Sequence, residues 1–309
     1  MACLMVASLV AGCAAVGGGG HPPLPSGTSA GHATRQPSRP SPGQTATAST
    51  VPASTVPASM PVIGGGPARL AGQLTTAETV LAAGAAAPAA LARQALIVQL
   101  ACLRLAAHPG WGAAVTARVA PAERAAATAD IAATADLVAL TPPGAQLPPW
   151  RIVPAQSPAA LRADYRAAQA ATGVGWSYLA AINFVETDFG RIAGPSSAGA
   201  QGPMQFMPAT WAIYGHGDIH RPRNAILAAA RLLAARGGAR DIGSALYAYN
   251  PSWRYVDAVR RYASRLRHDP QALIAYYRHQ VIYRLGGGWV LLPSGYGAIP
   301  AVHAIPLHL

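Results

Sequence analysis

The sequence predicts an all-α protein, and three observations carry the prediction. Apolar residues make up 51% of the 309, enough for a sizeable core, but many are alanine and only 6% of the chain is aromatic. That balance favours helices packed closely through small side chains over a sandwich rich in Val, Tyr and Phe. Two long stretches, LARQALIVQLACLRLAAH and PAERAAATADIAATADLVAL, repeat their apolar residues at helical spacing. Helix-start chemistry then recurs further on, as in Ser157-Pro158-Ala159-Ala160, an N-cap followed by proline in the first turn.

Read from its start, the chain opens on an apolar run, residues 2–12, too short to span a bilayer as a mature helix and ending in Val10-Ala11-Gly12-Cys13. This resembles a bacterial lipoprotein signal in which Cys13 is lipidated, although the basic n-region is missing; the plain alternative is an ordinary secretory signal with an incidental cysteine. Either reading exports the protein to the cell envelope, and the first anchors it to the outer face of the cytoplasmic membrane. Residues 14–66 are Gly, Pro, Ser, Thr and Ala with the near-repeat STVPASTVPASMPV, a flexible, partly polyproline tether. Residues 67–145 read as two or three helices, broken around Pro109-Gly110 and Pro121, with no identifiable chemistry and no convincing transmembrane run. Pro142, Pro143, Pro148 and Pro149 mark a boundary, and residues 146–270 form the domain that carries the motifs. Residues 271–309 are a C-terminal helix and tail, with strands, if any, short and confined to the tail or to the loop after Gly190.

All 23 basic residues are arginine, a bias that suits a GC-rich coding sequence, and the formal net charge is +12. Such a surface favours anionic partners, including anionic wall polymers. No zinc-finger spacing or aromatic-rich RNA-binding motif points to nucleic acid. Three cysteines, Cys3, Cys13 and Cys102, are too few and too scattered for a disulfide framework or a metal site. Cys102 reads as a small buried hydrophobe, and neither a metal nor an organic cofactor is expected.

The informative stretch is WSYLAAINFVETDFGR from Trp176. At 3.6 residues per turn Leu179, Ile182, Glu186 and Phe189 share one face, which sets a carboxyl group into the apolar side of the helix. Burial disfavours its charged form and leaves a protonated acid near neutral pH. Gly190 suits the cap that would put Glu186 in the last turn. The plain alternative is an arginine partner, but of the three glutamates, at 78, 123 and 186, only Glu186 is embedded in a motif. The loop GPSSAGAQGPMQFMPATW follows, in which Gly199 and Gly202 allow close backbone approach and Gln205 offers both a donor and an acceptor. Pro208 opens another helix, residues 224–236 a further one, and Tyr249-Asn250 precedes a basic helix, residues 252–267, whose Arg260, Arg261, Arg265 and Arg267 are candidates for holding anionic polymers.

Taken in order, VETDFGR, GAQGPMQFMPATW and AYN at residues 248–250 closely resemble the three signature blocks of the lytic transglycosylases with a lysozyme-like fold, the membrane-bound B type in particular. The resemblance covers roughly residues 160–265. It implies a goose-lysozyme-like helical domain that cuts the β-1,4 bond from N-acetylmuramic acid to N-acetylglucosamine in peptidoglycan glycan strands. It also implies Glu186 as acid/base, Ser196 or Ser197 as the loop serine near the muramyl sugar, and Gln205 and Met207 as substrate contacts. Tyr249 would orient the carboxyl or the sugar, with Asn250 a structural cap. Pro203 departs from the pattern and bears on loop flexibility.

A single-carboxyl mechanism has independent support. Most glycosidases need a second Asp or Glu across the bond, yet Asp188, two positions on, points about 200° around a helix from Glu186. Asp218 and Asp241 could take part only through tertiary folding. With one carboxyl, Glu186 protonates the glycosidic oxygen, the substrate N-acetyl group stabilises the oxocarbenium-like centre, and the ionised Glu186 then takes the proton of the muramyl C6 hydroxyl as it closes on C1. The product is a 1,6-anhydro sugar. The alternatives are a goose-type hydrolase, in which water attacks, and a non-catalytic wall-binding lipoprotein.

Overall fold

The computed structural model describes residues 59–309. The signal segment, Cys13 and most of the expected tether lie outside the described residues. Residues 60–64 belong to the folded body: Ile63 is buried, and the Gln73 side chain accepts from the Gly64 amide and donates to the Val62 carbonyl, each at 2.8 Å.

Among the described residues four helices precede the motif region, where the sequence suggests two or three: α1 Pro67–Ala83, α2 Pro88–Ala107, α3 Gly112–Arg118 after a short 3-10 turn, and α4 Pro121–Leu140. The additional break has a local cause. Gly84 takes the left-handed conformation as the α1 cap and Pro88 begins α2. Then come α5 Pro158–Thr172, α6 Trp176–Thr187, α7 Pro208–Tyr214, α8 Pro222–Ala235, α9 Ile242–Tyr249, α10 Trp253–His268 and α11 Ala272–Tyr277. Six of these eleven helices start on proline, where the missing N–H is one of the donors a helix leaves unbonded. Ser157 caps α5 by accepting from the Ala160 amide.

The strands are few. β1 Arg151–Ile152 pairs antiparallel with β2 Ile192–Ala193, the loop after Gly190, so one short strand falls before α5 rather than in the tail. β3 Val281–Leu285, β4 Gly288–Leu292 and β5 Ile305–Leu307 form an antiparallel sheet in chain order. Trp150, Ile152, Ile192, Val281, Val290 and Leu292 pack between the two sheets as a small second core.

The main core is continuous from Ile63 to Leu307, so the first four helices share it with the motif-bearing ones. α2 is the one helix among the described residues long and apolar enough to cross a membrane; here it packs against α1 and α4, and Cys102 is buried within it. At the centre α6 is buried on every side, from Leu179 to Thr187, rather than on a single stripe. α10 is amphipathic, and at its far end Arg265 is buried between Glu78 of α1 and Asp130 of α4, with the Tyr276 hydroxyl donating to Asp130 at 2.6 Å. Glu78, outside any motif, is thus the buried partner of an arginine, and Arg265 is not a free surface cation; nor is Arg261, which pairs with Asp136.

Candidate active site

Glu186 sits one residue before the end of α6, and its side chain has no arginine partner among the described residues. Its Oε1 accepts from the Tyr255 hydroxyl at 2.8 Å, from the first turn of α10. The residue is 2% exposed, and burial pushes its carboxyl from the ordinary 4.5 up to about 8, opposed only by the Tyr255 bond. No second carboxylate contributes to that rise. Burial, together with the neighbouring Glu186, holds the Tyr249 and Tyr255 phenols well above the usual tyrosine range, so both remain neutral.

The helix ends abruptly here. Asp188, not Gly190, takes the left-handed cap position, and Phe189 follows it, with φ of 51° and 64°. Phe189 thus leaves the helical face assigned to it by spacing, although it stays buried and stacks on Phe184. Asp188 is held away from Glu186 by an ion pair of 2.6 Å with Arg191, whose guanidinium also donates to the carbonyls of His279 and Tyr277. As the left-handed cap Asp188 lies off the helical phase, and its orientation is set by this pair. Asp218 and Asp241 are exposed and serve their own turns, accepting from the amides of His220 and Ser244.

The glycine-rich loop is bolted to α6 through the carbonyl of Pro203, which accepts from Asn183 Nδ2 at 2.8 Å and Thr187 Oγ1 at 2.6 Å. Tyr165 in turn donates to Asn183 Oδ1 at 2.6 Å. Pro203, the departure from the family pattern, is thus where the loop meets the acid-bearing helix. A turn from Gly202 to Gln205 follows, closed by two bonds between Gln201 and Phe206. Only glycine fits at 202: its φ is +72° and a Cβ would lie 2.2 Å from the Ile219 carbonyl oxygen. Gln205, at φ 48°, is strained for a non-glycine residue. The three described non-glycine residues with positive φ are Asp188, Phe189 and Gln205, all in this region, and such outliers tend to cluster at functional sites.

The other expected site residues divide. Gln205 is buried, its Nε2 donates to Gly202, and its Oε1 has no partner. Tyr249 donates to the Met204 carbonyl and stacks parallel to Tyr255 at 6.5 Å, which brings it beside Glu186. Asn250 caps α9 through its backbone, while its side-chain nitrogen is buried without a partner. Met207 is half-buried at the N-cap of α7. Ser196 is buried and turned inward, its Oγ accepting from the Ala200 amide, so Ser197 is the exposed serine of the loop. Tyr255, Asn183, Thr187, Tyr165 and Arg191 were not legible as site residues. The signal for Tyr255 lies in α10, where Tyr255, Val259, Tyr262 and Leu266 follow helical spacing; a tyrosine on a core stripe needs a partner for its hydroxyl. Among the described residues no group of three or more His, Cys, Asp or Glu could hold a metal ion.

Residues 165–270, about a third of the chain, match the family model described as Transglycosylase SLT domain. The match begins at Tyr165 and ends just past α10, so it takes in the whole of the network around Glu186 except Arg191's carbonyl partners. It supports a lytic transglycosylase or lysozyme-like relationship, with peptidoglycan glycan strands as substrate, and the helical architecture is that of the lysozyme-like all-α fold. No curated protein and no solved structure matches the chain.

Proposed function

We propose that the protein is a peptidoglycan lytic transglycosylase that cleaves the bond from N-acetylmuramic acid to N-acetylglucosamine and leaves 1,6-anhydro ends, with Glu186 as its single acid/base. The observation that carries this reading is a lone carboxyl group, buried, held neutral and bonded only to a neutral tyrosine hydroxyl. A protonated acid is what the leaving glycosidic oxygen requires. A nucleophilic partner about 5 Å across the bond, as two-carboxylate retaining enzymes use, has no candidate: Asp188 is occupied by Arg191. Once Glu186 has given up its proton it is an uncomfortable buried anion beside the Tyr255 donor, and it recovers the proton from the attacking C6 hydroxyl. The unpartnered Gln205 Oε1 and Asn250 Nδ2 supply one acceptor and one donor for substrate hydroxyl or acetamido groups.

Digestion of purified murein sacculi tests the reaction. Anhydro-muropeptides, lighter by one water than reducing-end products, are expected from the wild type and not from Glu186→Gln; reducing ends alone would make it a hydrolase. We further propose export and lipid anchoring through Cys13, for which Cys13→Ser should release the protein from membranes. Electrostatic attachment to wall polymers falls to the exposed Arg260 and Arg267, worth a fraction of a kcal/mol each at most. Sacculus binding that does not weaken at high salt would exclude it.

A further inference from the structure

Beside Ser196 and Ser197 a cavity of about 450 Å³ opens between a proline-rich strap, residues 141–150, and the side chain of Tyr283 on β3. We infer that this cavity receives a neutral N-acetylated sugar unit of the glycan strand, removed from the scissile bond, so that the strap and the C-terminal sheet extend the substrate cleft beyond the segment that matches the family model. The inference rests on the reading of the Glu186 site as one that cuts glycan strands.

The cavity is built, not incidental. The Trp150 indole N–H donates to the Pro195 carbonyl at 3.0 Å, fastening the strap to the serine loop, and the ring meets Tyr283 edge-on at 5.5 Å. Tyr283 and Tyr296 donate to the carbonyls of Gln146 and Pro148 at 3.3 and 3.1 Å. Gly144 bonds through both backbone groups to the β3 strand and the turn after it, and a Cβ there would lie 1.8 Å from the Tyr283 hydroxyl. Strap and sheet are thus fitted together at several points, and the volume lies within the roughly 300–1,000 Å³ of small-molecule sites.

The chemistry of the walls selects the ligand. Proline rings, Leu147, Trp150 and Tyr283 form the apolar walls; the side-chain polar groups are neutral, chiefly those of Gln146 and the two serines, and no charged side chain lines the space. Prolines offer no N–H, so the walls present C–H surface to the C–H faces and acetamido methyls of pyranose rings. The exposed Ser197 and Gln146 stand at the rim within reach of sugar hydroxyls. The charged stem peptide is the poorer fit, since desolvating its carboxylates and amines without a counter-charge is costly. The serine loop that lines the cavity runs on to Pro203, which is bonded to Asn183 and Thr187 on the helix that bears Glu186, so the cavity and the acid are positioned by one loop.

The test uses full-length protein carrying Glu186→Gln, so that binding proceeds without turnover, titrated calorimetrically with peptide-free β-1,4 N-acetylglucosamine dimers and hexamers. Two further substitutions are added one at a time at exposed positions, with melting temperature as the folding control: Leu147→Asp places a charge in the neutral cavity, and Ala145→Trp fills it. Hexamer affinity is expected to fall by about tenfold in both, with dimer affinity unchanged. Unchanged hexamer affinity in both folded variants overturns the proposal. In a parallel titration with peptide-bearing glycan fragments, a loss of affinity confined to those fragments also overturns it, because the stem peptide would then be the occupant. Release of anhydro products by wild type, Leu147→Asp and Ala145→Trp proteins with Glu186 intact, measured separately, tests the wider reading, so the failure of one is not mistaken for failure of the other.

Discussion

The substitution Glu186→Gln should abolish turnover and, at neutral pH, stabilise the fold. In the unfolded chain the carboxyl ionises at its ordinary 4.5, whereas in the folded protein burial holds it protonated to about 8. Folding above pH 4.5 therefore requires a proton to be taken up. Because the folded-state value is the raised one, stability is greatest below 4.5 and is lost progressively as pH rises through 8. The interval from 4.5 to 7, at about 1.4 kcal/mol for each pH unit, costs roughly 3 kcal/mol at pH 7. Glutamine keeps the shape and can still accept from Tyr255, but carries no such cost. For a folded body of this size the gain corresponds to a melting temperature higher by roughly 6–12 °C. Calorimetry of both proteins from pH 4 to 9 measures it: the two curves should converge near pH 4 and diverge toward pH 8. Parallel curves would refute the argument, because the carboxyl would then not be held neutral by burial. Activity should follow the same group, with about nine-tenths of Glu186 protonated at pH 7 and turnover declining above pH 8.

Three further substitutions separate chemistry from support. Tyr255→Phe removes the one hydrogen bond that opposes burial, so Glu186 should titrate higher still and the alkaline limb of the pH–activity profile should move upward, with about 1 kcal/mol of stability lost. Asp188→Asn breaks the buried pair with Arg191 and should cost about 3–5 kcal/mol by denaturant titration. Turnover of the protein that remains folded should fall far less than in Glu186→Gln, and equal losses at the two positions would restore a two-carboxylate hydrolase. Arg265→Met leaves Glu78 and Asp130 buried without a cation and should lower stability by a similar amount, read from urea midpoints.

What could be read from the sequence is what depends on neighbours along the chain. The Ser157 cap, the proline that opens α7, the course of α8 and the place of Glu186 near a helix end follow from local spacing and cap chemistry. Partner identity does not. Tyr255 reaches Glu186 across 69 positions, and Arg265 reaches Glu78 across 187. Periodicity can say that such a residue lies on the buried face; it cannot say which carboxyl it meets there. The same limit bears on the cations of α10: Arg265 follows Tyr255, Ala258 and Tyr262 at helical spacing on the buried face, but the carboxylates that pair with it there lie 187 and 135 positions away. Helical phase is not what orients Asp188: at a helix end one left-handed residue takes the chain off the 3.6-residue cycle, so phase arguments fail past Thr187. The tail hairpin had a legible signal in VIYRL and GWVLL on either side of Gly286-Gly287, but its packing against the strap depends on contacts from more than 130 positions away.

The first four helices, which carry no motif, gain a purpose from what α10 holds. Tyr255 in its first turn contacts the acid, and Arg265, ten residues on and so about 15 Å along the axis, is buried between Glu78 and Asp130. α10 is thus tied at one end to the helix that bears Glu186 and at the other to α1 and α4. A bare 165–270 segment would keep Tyr255 but lose both carboxylates around Arg265 and leave the face of α10 that packs on α4 open to water. Exposing that apolar face would loosen the seat of α10, and the Tyr255 contact depends on that seat. The extra helices thus support, through α10, the tyrosine that bonds the carboxyl group of Glu186.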